Sequence, residues 1–204
     1  MGEHVPAPIE FFFDFSSPYS YIALQSFDAL AAKHRRAVHY KPILLGAAFK
    51  VSGVSVLVDI PLKGDYARHD FARSARFAGV PFRLPSTFPI STVNTARALL
   101  WLHATGSARA DAFMLRAGRA YFVEDRNIND VAVLGELARE LGIDAAALQA
   151  GTQDPAIKER LKAQVDEAVA RGVFGAPYIV VDGEPFWGND RLPQIERWLA
   201  SGPF

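Results

Sequence analysis

The chain has 204 residues, with 22 basic and 22 acidic side chains that cancel to a formal net charge of zero, and half of its residues are apolar. This is the profile of a folded globular protein, long enough for one large domain or a domain with a sizeable insertion. It gives no electrostatic handle for nucleic acid or an anionic membrane as a partner. Cysteine is absent, which excludes disulfides, thiolate metal sites and a resident dithiol redox couple. Gly2-Glu3-His4 is short and acidic, and the first apolar run is broken by Glu10 and Asp14. Neither a signal peptide nor a membrane span is therefore expected, and the cytoplasm is the expected location.

In chain order, residues 9–15 form a short aromatic run between Pro8 and Ser16-Ser17-Pro18 and predict a buried strand. A helical pattern follows to about residue 34, with Tyr21, Leu24, Phe27, Leu30 and Ala31 on one stripe. Ser17 fits its N-cap and Pro18 its first turn. Residues 37–45 read as a second strand, followed by a loop rich in Gly, Ser and Val. Helices are expected over 65–78, 92–105, 108–123, 129–141 and 154–171, with a proline-rich loop at 79–89. Strand signals return at 177–181 and 184–187 around the turn Asp182-Gly183. Gly188-Asn189-Asp190 is expected to cap a last helix over 191–200. The outline is βαβ, a long helical block, then ββα: one α/β domain split by an all-helical insertion.

Ser17 sits where a strand feeds a helix N-terminus, the ligand edge of an α/β sheet. Open N–H groups and the positive end of the helix dipole favour an anion there. Two readings of the hydroxyl stand side by side: an ordinary N-cap, or a donor to a thiolate brought from outside. In the second, the donor and the dipole together would lower a bound thiol's pKa by about a unit or more. No Gly-x-Ser-x-Gly elbow is present, and no histidine is placed by sequence to serve as a base. Gly175-Ala176-Pro177 opens a strand. With a cis Pro177, Ala176 turns its N–H and C=O outward to pair with an extended peptide; with a trans bond the stretch is a tight loop. At Trp187-Gly188-Asn189-Asp190, backbone N–H groups and Asn189 can hold a carboxylate while Asp190 pairs with an ammonium, beyond any capping role. His103 reads as a packed helix residue, and the histidines show no metal-ligand spacing, so no metal is expected. Asn94 stands near a helix start, either as a cap or as a pocket residue. Phe82, Phe88 and Tyr66 can form an aromatic wall or pack in the core.

Three stretches carry a family resemblance: Phe13-Asp14-Phe15-Ser16-Ser17-Pro18-Tyr19-Ser20-Tyr21, Gly172-Val173-Phe174-Gly175-Ala176-Pro177 and Phe186-Trp187-Gly188-Asn189-Asp190-Arg191-Leu192. Through them the chain resembles kappa-class glutathione transferases and, more closely, bacterial 2-hydroxychromene-2-carboxylate isomerases, both within the DsbA-like thioredoxin superfamily. Lys41-Pro42-Ile43-Leu44-Leu45-Gly46 and the aromatic-basic helix after Asp65 match more loosely. The resemblance implies a thioredoxin-like fold from residues 1–45 and 172–204, interrupted by a helical insertion domain, 46–171. It implies that Ser17 hydrogen-bonds the sulfur of glutathione, that Ala176 before a cis Pro177 pairs with the cysteinyl unit, and that Trp187 through Asp190 hold the γ-glutamyl end. It further implies reversible thiolate addition to a small aromatic substrate, a homodimer, and a place in aromatic-compound catabolism. Lys63 fits a basic position for the anionic substrate or the glycyl carboxylate, or is a solvated loop lysine. Where the family carries a ligand-contacting asparagine after the glycine of Ser52-Gly53, this chain has Val54.

Overall fold

The computed structural model describes residues 7–53 and 55–204; His4 and Val54 fall outside them. Strand β1, Ile9–Phe13, lies at the centre of a four-stranded sheet in the order β2-β1-β3-β4. It runs parallel to β2, Val38–Pro42, and antiparallel to β3, Tyr178–Val181, which in turn is antiparallel to β4, Glu184–Trp187. The short run Ile9-Glu10-Phe11-Phe12-Phe13 buries aromatic rings on both faces. Ile9, Phe11 and Phe13 join Ile179, Val181 and Phe186 in one core cluster, whereas Phe12 and Tyr178 join Ile43, Leu100, Leu161 and Val165 in another. Period-two alternation thus works here with an apolar residue at almost every position, because both faces of the central strand are covered by helices.

Helix α1, Pro18–Lys33, packs the first face with Tyr21, Leu24 and Phe27, starting from proline at its first position as expected. The hairpin joining β3 and β4 turns on Asp182 and Gly183, both at positive φ (54° and 90°), which the Asp-Gly pair is suited to adopt. The expected middle helices appear as α3 Lys63–Phe77, α4 Val93–Ala104, α5 Ala110–Phe122, α6 Val131–Glu140 and α8 Pro155–Ala170. Residues 79–92 between α3 and α4 hold no regular element. The last helix, α9, spans Leu192–Ser201.

Several expectations are corrected. β1 ends at Phe13 rather than Phe15, because Asp14 turns the chain: Ser17 N–H donates to its carbonyl at 2.9 Å. β2 ends at Pro42, and the expected loop after it begins with a helix, α2, Leu45–Ser52. Its first N–H, on Leu45, donates to the Asp14 carboxylate at 2.7 Å, and Gly53 ends it at φ 70°. A further helix, α7, Ala145–Gln153, was not expected, although its cap is local: Asp144 accepts from the N–H groups of Ala146 and Ala147. The helical segment shares its core with the sheet, since Leu99, Phe113, Tyr121, Leu134 and Leu148 belong to the same cluster as Phe11 and Ile179. Among the described residues, no helix is long and apolar enough to cross a membrane.

Candidate active site

The three separated stretches meet at one edge of the sheet. Ser17, in extended backbone at the N-cap of α1, accepts from Ser20 N–H at 3.2 Å, which is the expected cap. Its hydroxyl donates to the carbonyl of Ala176 at 2.9 Å, across 159 residues of chain. The Ala176-Pro177 bond is cis. One residue further on, the Pro177 carbonyl accepts from Gly188 N–H at 3.0 Å. Two hydrogen bonds therefore tie the start of α1, the proline loop and the end of β4 into one unit. Ser17 and Ala176 are both buried, and the N–H groups of Ala176 and Tyr19 have no acceptor among the described residues. Pro18 brings no N–H, so the Tyr19 amide and the dipole of a 16-residue helix are what α1 presents to an anion.

Trp187 is about half exposed (54%) and lies edge-on to Phe174, with centroids 4.9 Å apart. Its indole covers Gly175: a Cβ there would fall 2.4 Å from Nε1, so glycine is what lets the ring approach the proline loop. Gly188 adopts φ 110°, a conformation that suits glycine and places the next amides at the edge of the site. The expected cap is not made. Residues Asn189–Arg191 form a 3₁₀ turn, and neither that turn nor α9 has a side-chain cap. Asp190 is exposed and pairs with its neighbour Arg191, at 3.2 Å.

Lys63 is the exposed first residue of α3, and no hydrogen bond or ion pair joins it to the Ser17 unit among the described residues. Asn94, in the first turn of α4, donates through Nδ2 to the Asn129 carbonyl at 2.9 Å, while its own N–H donates to Asn129 Oδ1 at 3.1 Å. Its amide thus fastens α4 to the segment before α6. Phe82 stacks on Phe122, Phe88 packs edge-on to Phe71, and Tyr66 is exposed beside Arg73. Tyr19 anchors the start of α1 to α3: its hydroxyl donates to Asp70 at 2.5 Å and its ring meets Phe71. Burial, with the Asp70 carboxylate beside it, pushes the Tyr19 phenol well above its ordinary range.

Asp14 is the residue that sequence reading passed over, noting it only as a break in an apolar run. It is 4% exposed, and its carboxylate accepts from Ser16 N–H (2.8 Å), Ser16 Oγ (2.9 Å), Leu45 N–H (2.7 Å) and Thr92 Oγ1 (2.9 Å). It binds the turn before Ser17 to the starts of α2 and α4. The available signal was a charged residue inside Phe-Asp-Phe, where burial demands a full set of donors.

This geometry, a helix-start serine facing a cis-proline loop on a mixed sheet, defines a thioredoxin-type protein. The sequence matches the DSBA-like thioredoxin domain family over residues 8–200, and the chain belongs to that family. Within it, the chain is 34% identical to a 2-hydroxychromene-2-carboxylate isomerase of Sphingobium xenophagum, covering 94% of this chain and 97% of that protein. It is 27% identical to glutathione S-transferase kappa 2 of Caenorhabditis elegans, over 96% of this chain and 92% of that one. A solved 2-hydroxychromene-2-carboxylate isomerase superposes with a TM-score of 0.84 at 27% identity, covering 95% of both chains. The chain is a member of the isomerase group of this family, with kappa-class transferases as its next relatives.

Proposed function

We propose that the chain is a glutathione-dependent isomerase that converts 2-hydroxychromene-2-carboxylate to trans-o-hydroxybenzylidenepyruvate in aromatic-compound catabolism. The observation that carries this reading is the 2.9 Å contact between the Ser17 hydroxyl and the carbonyl before the cis bond, which supports reading Ser17 as a thiolate donor beside a peptide-pairing edge. The residues present fit glutathione, because the Ala176 N–H has no acceptor among the described residues and can donate to a ligand carbonyl. Bound, glutathione supplies a thiolate that adds to the electron-poor double bond of the ring-opened substrate and leaves after rotation about the single bond, so it is neither consumed nor oxidised.

The chain's own groups do the rest. The Ser17 hydroxyl and the N-terminus of α1 stabilise negative charge on sulfur. Ala176 and Pro177 align the cysteinyl unit, and Trp187, Gly188, Asn189 and Asp190 hold the γ-glutamyl end. Lys63 serves the anionic end of substrate or ligand, and Asn94 acts by fixing the start of α4. A cytoplasmic homodimer belongs to the same reading. The kappa-class relatives favour one alternative, a kappa-like transferase or peroxidase acting on hydrophobic electrophiles, in which the thioether is released rather than collapsed.

The test follows chromene isomerisation spectrophotometrically, with and without glutathione, for wild type and Ser17→Ala. Activity is expected only with glutathione, and the substitution should lower it about 10- to 100-fold through loss of one charge-assisted hydrogen bond. Isomerisation that runs unchanged without glutathione sinks the reading. Turnover confined to electrophiles such as chlorodinitrobenzene, with a stable thioether product, promotes the transferase.

A further inference from the structure

A serine hydroxyl has one proton to give, and in this structure Ser17 spends it on the Ala176 carbonyl. The same oxygen is held from behind by Ser20 N–H, so the atom is fixed while its proton can swing. A thiolate arriving at Ser17 therefore competes with a carbonyl for one donor. Because Ala176 is buried, a carbonyl left there without a donor is costly. Ser17 turns away cheaply only if another donor takes its place.

We propose that the Ser17–Ala176 hydrogen bond is a placeholder, exchanged on binding for an amide N–H of the ligand's cysteinyl unit, which releases the Ser17 hydroxyl to the sulfur. The inference rests on the glutathione reading and deepens it. The Ala176 N–H, without an acceptor among the described residues, supplies the other half of the two-bond ladder: it would reach the carbonyl of the same ligand residue while the Ala176 carbonyl takes that residue's N–H. Recognition of the peptide backbone and activation of sulfur thus become one event. The thiol proton departs to solvent only when the amide is seated. The site then selects a chemical class: thiols carried on an amino-acid unit with an acylated nitrogen. Simple thiols such as 2-mercaptoethanol leave Ser17 on Ala176 and stay protonated.

The test compares glutathione with its depsipeptide analogue, in which an ester oxygen replaces the amide nitrogen between the γ-glutamyl and cysteinyl units. Binding to the full chain is measured by calorimetry, and the ionisation of the bound sulfur by the ultraviolet absorbance of the thiolate against pH. The analogue should bind within about tenfold of glutathione, because Ser17 still satisfies Ala176, while its bound thiolate fraction at neutral pH falls about tenfold or more. An analogue that ionises like glutathione, or one that fails to bind at all, overturns the exchange and leaves the glutathione reading standing. Glutathione itself failing to bind overturns both.

Discussion

Replacing Asp14 by asparagine removes one acceptor from a carboxylate that serves four donors. Two of these, Ser16 N–H and Leu45 N–H, are backbone amides that can only donate, and they lie on different oxygens of the carboxylate. Whichever way the asparagine amide turns, its NH₂ faces one of them, so a buried N–H is left unpaired against another donor. Losing one charge-assisted hydrogen bond and leaving its partner orphaned costs about 2–4 kcal/mol. A domain of this kind is stable by only about 5–15 kcal/mol. The assay is equilibrium urea unfolding with the m-value monitored, so that a shift in midpoint can be read as stability. Thr92→Val removes a single donor and should cost about 1 kcal/mol. In the double variant the two losses should couple by at least about 0.5 kcal/mol, because both alter the donor set of one carboxylate. A stable Asp14→Asn protein, within about 0.5 kcal/mol of wild type, would refute the assignment of Asp14 as the tie between the Ser17 turn and helices α2 and α4.

Three further outcomes are expected. Arg171, with Lys41 beside it, holds the Glu10 carboxyl down at about 2, from an ordinary 4.5. A depressed carboxyl gives stability that is present above the unfolded value and lost as pH falls toward the folded one. The unfolding free energy should therefore drop between about pH 4.5 and 2 by about 1–3 kcal/mol, and Glu10→Gln should flatten that arm. Ser20 is 1% exposed and its hydroxyl has no partner among the described residues, so Ser20→Ala should raise thermal stability by about 0.5–1.5 kcal/mol; a destabilised variant counts against it. Gly175→Ala would drive a methyl into the Trp187 indole. It should change tryptophan fluorescence and weaken glutathione binding, with a stability loss of no more than about 1–3 kcal/mol, and unchanged binding would show that the indole plays no part in the site.

What could be read from the sequence was what neighbours in the chain decide. Ser17-Pro18 announces a helix start, Asp182-Gly183 a tight hairpin, and a proline opening an apolar run the loop that faces Ser17. The start of α2 was invisible for the opposite reason: its first amide is capped by a carboxylate 31 residues earlier in the chain, and Gly46 weakens any local helical signal. The lengths of β1 and β2 were overestimated because apolar residues continue past the point where Asp14 and Leu45 bend the chain. Asn189 and Asp190 carry the right chemistry for capping, yet they fall in a 3₁₀ turn and α9 starts after it with no side-chain cap. The role of Asp14 exists only once three chain segments have come together.

The absence of cysteine has a consequence for durability. An enzyme with its own reactive sulfur can be driven up the oxidation ladder to sulfinic and sulfonic acids, and the last of these steps is not reversed. Here the atom beside the helix start is a hydroxyl oxygen, and sulfur occurs in the chain only in its two methionines. If the chain borrows its thiol as proposed, peroxide would damage that thiol, which would diffuse away and be replaced by a fresh one. On that reading the scaffold survives each such loss, so output would follow the supply of reduced thiol in solution while the site itself keeps no record of past oxidative stress.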